Sequence, residues 1–89
     1  MDSKEFAAKV RSALRKQGFT GSVRLGPGSA YCWVHITGTG PQSHEFTPRE
    51  RTLLESLGFA VGGNLTLIAP ENINRKFVAE KLGFAYEAR

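Results

Sequence analysis

Residues 22–37 read SVRLGPGSAYCWVHIT. Two runs of alternating apolar and polar residues, SVRL and AYCWVHIT, flank GPGS, and this is the pattern of a β-hairpin. Pro27 presets the first central position of a tight turn. Gly28 supplies the positive φ that a type II turn needs at the second. Side chains alternate across a strand, so Cys32, Val34 and Ile36 point to one face and Tyr31, Trp33, His35 and Thr37 to the other. On the first strand Val23 and Leu25 match the apolar face, which leaves Arg24 on the face of Trp33 and His35.

Outward from the hairpin the pattern turns helical. Before it, residues 2–17 carry Phe6, Val10 and Leu14 at every fourth position, one apolar stripe of a helix. Asp2 is placed to cap it, with Glu5 as the reciprocal partner. Lys4, Arg11 and Arg15 fall on the opposite face, and Lys16 sits in the last turn, where a cation favours the helix dipole. After the hairpin, residues 38–45 (GTGPQSHE) have the composition of a loop. Next, FTPRE is a helix start: Thr47 as N-cap, Pro48 in the first turn and Glu50 closing a capping box. This second helix runs to about Leu57 with Leu53, Leu54 and Leu57 inward. Residues 64–70 (NLTLIAP) read as a third strand with Leu65 and Leu67 inward, and residues 59–61 pair with it across Gly62 and Gly63. A last helix covers residues 71–82, with Ile73, Phe77, Val78 and Leu82 apolar. The expected fold is α+β: a single small domain over residues 1–89 in the order α-β-β-α-β-α. Its sheet is mainly antiparallel, with the helices packed on one face.

A Gly-Phe step follows each helix: Gly18-Phe19, Gly58-Phe59 and Gly83-Phe84. The last two lie inside a repeated LGFA. Glycine just past a helix end takes the left-handed conformation, and the next residue packs back on the last turn. The repeat is therefore punctuation and not a duplicated unit, since GTGPQSHEF and GGNLTLIAP, which precede the second and third helices, do not match.

Composition limits the classes. The chain has 89 residues, a 40% hydrophobic and 22% charged fraction, and a net charge of +4. These belong to one ordinary globular core. No apolar run approaches the ~20 residues a membrane helix needs. MDSKEFAAKV lacks the apolar run of a signal peptide. A single cysteine, Cys32, fits a reducing cytoplasm. The basic balance favours polyanionic partners and argues against an acidic mimic of DNA.

Little in the chain points to catalysis. Cys32 and His35 are three positions apart on a strand and face opposite ways, which breaks both a metal pair with His44 and a nucleophile-base pair. Cys32 alternates with Val34 and Ile36 as a small core residue would. TGTGPQ resembles a phosphate loop but lacks the Gly-Lys-Ser/Thr ending. No cofactor or metal is implied, and the protein reads as non-enzymatic.

The constellation that carries chemistry is Arg24, Tyr31, Trp33 and His35 on one sheet face. Aromatic rings stack bases, cations hold phosphates and His35 can hydrogen-bond. Lys4, Arg11 and Arg15 form a second basic surface. The same residue types also serve protein interfaces.

AAKVRSALRKQGFTGSVRLGPGSAYCWVHITGTGP (residues 7–41) resembles a small domain associated with large polyvalent proteins of phages and conjugative elements. The likeness lies in the helix ending before SVR, the glycine-containing turn, the strand YCWVHIT and the Gly-Pro loop after it. It implies a phage or mobile-element origin and a role in countering host defence, as a small stoichiometric inhibitor of the anti-CRISPR kind. The leading expectation is a small binding protein that contacts nucleic acid, single-stranded in particular, through Arg24, Tyr31, Trp33 and His35, helped by Lys4, Arg11 and Arg15. The alternatives are a protein-binding inhibitor or adaptor acting on a host protein or nucleoprotein complex, and a homodimer formed through the open sheet face.

Overall fold

A computed structural model of the chain describes residues 1–26, 32–42 and 44–87. The elements follow the expected order: α1 (Ser3–Lys16), β1 (Ser22–Leu25), β2 (Val34–Thr37), α2 (Pro48–Ser56), β3 (Thr66–Ile68) and α3 (Asn72–Leu82). The three strands form one antiparallel sheet in the order β1-β2-β3. Val23, Val34, Ile36 and Ile68 line one face of it. They join Phe6, Ala7, Val10 and Leu14 of α1, Leu54 of α2 and Val78 of α3 in a single core. The helices therefore cover one face only. The turn at residues 27–29 and Tyr31 lie outside the described residues.

Local signals set most element ends. The Asp2 carboxylate accepts from the Glu5 N–H at 2.8 Å. Thr47 and Glu50 form the full capping box, with the Glu50 N–H donating to Thr47 Oγ1 and the Thr47 N–H to Glu50 Oε1. Gly18, Gly58 and Gly83 all take positive φ, at 91°, 91° and 82°. At the first two, paired hydrogen bonds close the last turn: Gly18 N–H to Arg15 C=O with Phe19 N–H to Leu14 C=O, and Gly58 N–H to Glu55 C=O with Phe59 N–H to Leu54 C=O. After α3 both Gly83 and Phe84 donate to the Ala79 carbonyl. Phe84 finds its packing on Phe6, with ring centroids 6.0 Å apart.

Several expectations fail, each for a tertiary reason. Thr66 and Ile68 face the core, and Leu67 is 46% exposed. A one-residue change of parity turns a whole strand over. Here the buried Thr66 hydroxyl is satisfied by donating to the Ala60 carbonyl at 3.1 Å. Residues 59–61 form no strand; the Gly62 N–H and the Thr66 hydroxyl tie that segment to the start of β3. Cys32 is only half-buried and precedes β2, so it is not a core residue. In α3 the buried positions are Arg75, Val78 and Ala79, whereas Ile73 and Phe77 are 79% and 49% exposed. Arg11 does not point to solvent: its Nε and one terminal nitrogen donate to the Val23 carbonyl.

The backbone parity of the sheet gives its two edges different characters. In an antiparallel pair, residues whose N–H and C=O face the partner alternate with residues whose groups face away. Gly26 N–H donates to Trp33 C=O, so Arg24–His35 and Ser22–Thr37 are the hydrogen-bonded pairs of β1 and β2. Val23 consequently turns its carbonyl to the outer edge of β1, where Arg11 takes it. Val34 and Ile36 face β3 and pair with Ile68 and Thr66. Leu67 is left with its N–H and C=O directed away from the sheet.

The loop before α2 closes on itself. Gly38 and Gly40 N–H groups donate to the carbonyls of His44 and Glu45, and the Thr39 N–H donates to Glu50 Oε1. These three amides are engaged within the protein and are not free to cradle a phosphate. Glu50 is 8% exposed and also accepts from the Thr39 hydroxyl at 2.7 Å. Burial alone would raise its carboxyl pKa, but the hydrogen bonds from Thr47 and Thr39 outweigh burial and hold it below the ordinary glutamate value.

Two stability measurements follow from these contacts. Gly18→Ala should lower the unfolding free energy by about 1–2 kcal/mol in urea titrations, the cost of a left-handed residue with a Cβ. Nothing lies within 4 Å of the added atom, so the loss is backbone strain alone. Gly63→Ala, equally open and at an ordinary φ, should be close to neutral. The Glu50 contribution should be complete above the ordinary glutamate pKa and fade as pH falls through the lower folded-state value. Glu50→Gln should cost about 1–3 kcal/mol at neutral pH and flatten that acid limb. An acid limb unchanged in Glu50→Gln would contradict this assignment.

Candidate nucleic-acid interface

The sheet face opposite the core carries a transverse row. Arg24, His35 and Leu67 stand directly opposite one another on β1, β2 and β3. Directly opposite residues share a face, so the three side chains line up across the sheet. Arg24 is exposed and His35 half-buried. His35 Nε2 is shielded from solvent and has no hydrogen-bond partner. A buried polar atom left unmet costs about 1–3 kcal/mol. Trp33 is half-buried just before β2. It lines a groove of about 270 Å3 together with Phe59, Leu67, Ala69, Asn74 and Phe77. The described end of the chain does not cross this face: Tyr86 packs edge-on to Phe6 at 5.7 Å, and its hydroxyl donates to Asn72 Oδ1.

The charged border lies at the β1 side. α1 packs against β1, and the hold of Arg11 on Val23 turns that side of the helix toward the strand edge. Lys4 and Arg15 are exposed there. Ala8, Arg11, Ser12, Arg15 and Lys16 line an open depression of about 450 Å3 on the helix surface. Small side chains at Ala8 and Ser12 leave room between the cations. Lys16 was expected only as a dipole partner; its spacing of four from Ser12 and five from Arg11 was the available signal for a place in this depression. The surface thus grades from cationic at α1 and β1, through His35, to apolar and aromatic at β3.

Of the expected site residues, Arg24 and His35 share one face of the sheet, and Trp33 lies just before β2 in the groove it forms with Leu67 and Phe77. Lys4 and Arg15 stand free on α1, Arg11 is anchored to the strand, and Tyr31 lies outside the described residues. Among the described residues Cys32, His35 and His44 form no ligand cluster for a metal. No helix among them is long and apolar enough to cross a membrane.

One residue that positions this face was not anticipated. Arg75 is 6% exposed, and its guanidinium donates to Ser3 Oγ and to the Cys32 carbonyl, both at 2.9 Å. Its Cζ lies 5.1 Å from the centre of the Phe6 ring. It therefore pins the chain one residue before Trp33. In sequence Arg75 looked like any surface cation of a helix. The only hint was its spacing of three and four from Val78 and Ala79.

No family model matches the chain, and no curated protein or solved structure does either. What the surface does must be argued from its own residues.

Arg75→Ala should destabilise the fold by about 2–3 kcal/mol, since it leaves a buried carbonyl without its donor and removes a packed side chain. It should also shift the Trp33 emission maximum in the folded protein. Arg75→Lys should recover part of the loss, because one guanidinium nitrogen serves both oxygens and a single ammonium can replace it, whereas the planar contact with the Phe6 ring is lost. An unchanged Trp33 spectrum in folded Arg75→Ala would remove Arg75 from this role.

Proposed function

We propose that this protein is a small non-enzymatic binding module that contacts single-stranded nucleic acid across the open face of its sheet. The observation that carries the proposal is the graded surface: exposed Arg24 beside His35, with Trp33 toward one side and the α1 cations toward the other. A single strand has two sides of different chemistry. Its phosphates suit Arg24, Lys4, Arg15 and Lys16 at the β1 border, and its bases suit Trp33 and the edge of His35. A duplex hides its base faces and has no use for an aromatic groove beside a cationic border. Arg11, held on the strand, adds fixed positive potential to the border.

A net charge of +4 is modest, so affinity should be salt-sensitive and weak in the absence of stacking. Trp33 is the only tryptophan, which makes its emission a direct reporter. Titration with single-stranded RNA and DNA oligomers at low salt should quench it, and raising salt should weaken binding. Arg24→Ala should reduce the slope of log affinity against log salt by about one phosphate contact. Trp33→Phe should retain most of the stacking, and Trp33→Ala should cost about 1–3 kcal/mol, read by anisotropy of a labelled oligomer. Absence of binding at low salt to either oligomer, with the protein folded, would remove this function.

A further inference from the structure

We infer that the Trp33 groove is a one-nucleotide subsite along α3, in which Asn74 reads the base edge and favours an amino-bearing base, cytosine over uracil. The inference rests on the reading of the sheet face as a nucleic-acid surface and adds a base preference to it. Trp33 is half-buried and Phe77 is 49% exposed, so aromatic rings are open to a base there. Stacking on a ring tolerates every base. Discrimination must therefore come from a polar group. Asn74 is the one residue lining this groove with a side-chain amide, and apart from the Trp33 indole N–H the other side chains there are apolar.

A neighbouring carboxylate fixes which way that amide points. Asn74 Nδ2 donates to Glu71 Oε2 at 3.1 Å. A carboxylate only accepts hydrogen bonds, so the amide nitrogen and not its oxygen must face Glu71. The carbonyl Oδ1 is the end left over, and its side chain makes no other hydrogen bond among the described residues. Oδ1 and the Glu71 carboxylate together form an acceptor-rich edge. Such an edge takes the exocyclic amino group of cytosine, adenine or guanine. Uracil presents a carbonyl where cytosine has its amino group, and two acceptors repel. Cytosine and uracil are alike in size, so the contrast between them separates this polar effect from stacking.

A cation borders the same groove. Lys81 Nζ lies 5.5 Å from the centre of the Phe77 ring. A Cβ at Gly58, which lines the groove, would stand 3.8 Å from Lys81 Cε. Phe77 and Lys81 follow Asn74 by three and seven positions on α3, so the three share a helix face. Seven residues rise about 10 Å, the span of one nucleotide from base edge to phosphate. The groove thus meets each part of a nucleotide: rings for the base, an acceptor edge for its amino group and an ammonium for its phosphate. Leu67 lines the groove and ends the transverse row that starts at Arg24. A strand held at the β1 border reaches Lys81 by crossing the sheet along that row.

The test is anisotropy of labelled cytidine and uridine homo-oligomers of equal length, at neutral pH and low salt. The cytidine oligomer should bind about tenfold tighter. Asn74→Ala, at an exposed helix position, should bring the two affinities together by weakening cytidine binding alone. Glu71→Ala frees the amide to turn over and should narrow the ratio in the same way. Arg24→Ala, at the far strand, should weaken both oligomers alike and keep the ratio. Lys81→Ala should lower the slope of log affinity against log salt by about one phosphate contact for both. Equal affinities in the unaltered protein would overturn the inference and leave the nucleic-acid reading in place. A cytidine preference that survives Asn74→Ala would overturn it too. Binding of neither oligomer would remove the nucleic-acid reading and this inference with it.

Discussion

A buried arginine with no carboxylate among its partners is the constraint around which the described structure is organised. Arg75 comes from the last helix, yet its guanidinium reaches Ser3 at the start of the first helix and the Cys32 carbonyl at the entrance to β2. The centre of the Phe6 ring lies 5.1 Å from the Arg75 Cζ, while the Arg75 Nε is shielded from solvent without a hydrogen-bond partner. A cation removed from water is tolerable only when nearby dipoles and a ring face replace the water. These three partners come from α1 and the hairpin, so the charge can be accommodated only when α1, α3 and β2 are together. Phe6 is fully buried and also receives the rings of Phe84 and Tyr86. The same cluster thereby fastens the end of the chain to its beginning, where the terminal amine donates to the Glu87 carbonyl.

From that arrangement the division of the surface follows. All three helices and the tail gather on the core side, so the outer face of a three-stranded sheet is left without a helical cover. A second arginine shapes one border of that face: Arg11 occupies the Val23 carbonyl on the outer edge of β1 with two side-chain hydrogen bonds. A cation held on an edge carbonyl blunts strand pairing at that position and places positive potential beside Arg24. Among the described residues no side chain takes the outward N–H or C=O of Leu67 on β3. The sheet therefore carries a cationic border at β1 and an exposed apolar residue, Leu67, at β3.

Much of the fold was legible in the chain because it is written in short-range chemistry. The Thr47–Glu50 capping box, the three glycine stops and the alternation of Val34 and Ile36 each depend on residues within a few positions of one another. The placement of Arg24 opposite His35 follows from the same alternation along the two paired strands. The failures share a different cause. Thr66 against Leu67, Phe77 against Arg75, and the inward turn of Arg11 were decided by partners from 6 to 72 positions away in the chain. A local apolar pattern cannot report a distant carbonyl. In NLTLIAP two leucines outvoted a threonine, yet the threonine had a buried acceptor waiting in Ala60 and the leucines had none to gain.

What the sequence determined by itself is the kind and order of the elements, where each helix begins and ends, and that Arg24 and His35 share a face of the sheet. Capping, left-handed glycines and two-residue alternation are properties of neighbouring atoms, so they survive without knowledge of the fold. What only the tertiary structure decided is which polar groups go inside and which apolar ones stay out. Arg75 is buried because a ring, a hydroxyl and a carbonyl from two other segments meet it. Leu67, Ile73 and Phe77 are exposed because the core is already closed by Ile68, Val78 and Ala79.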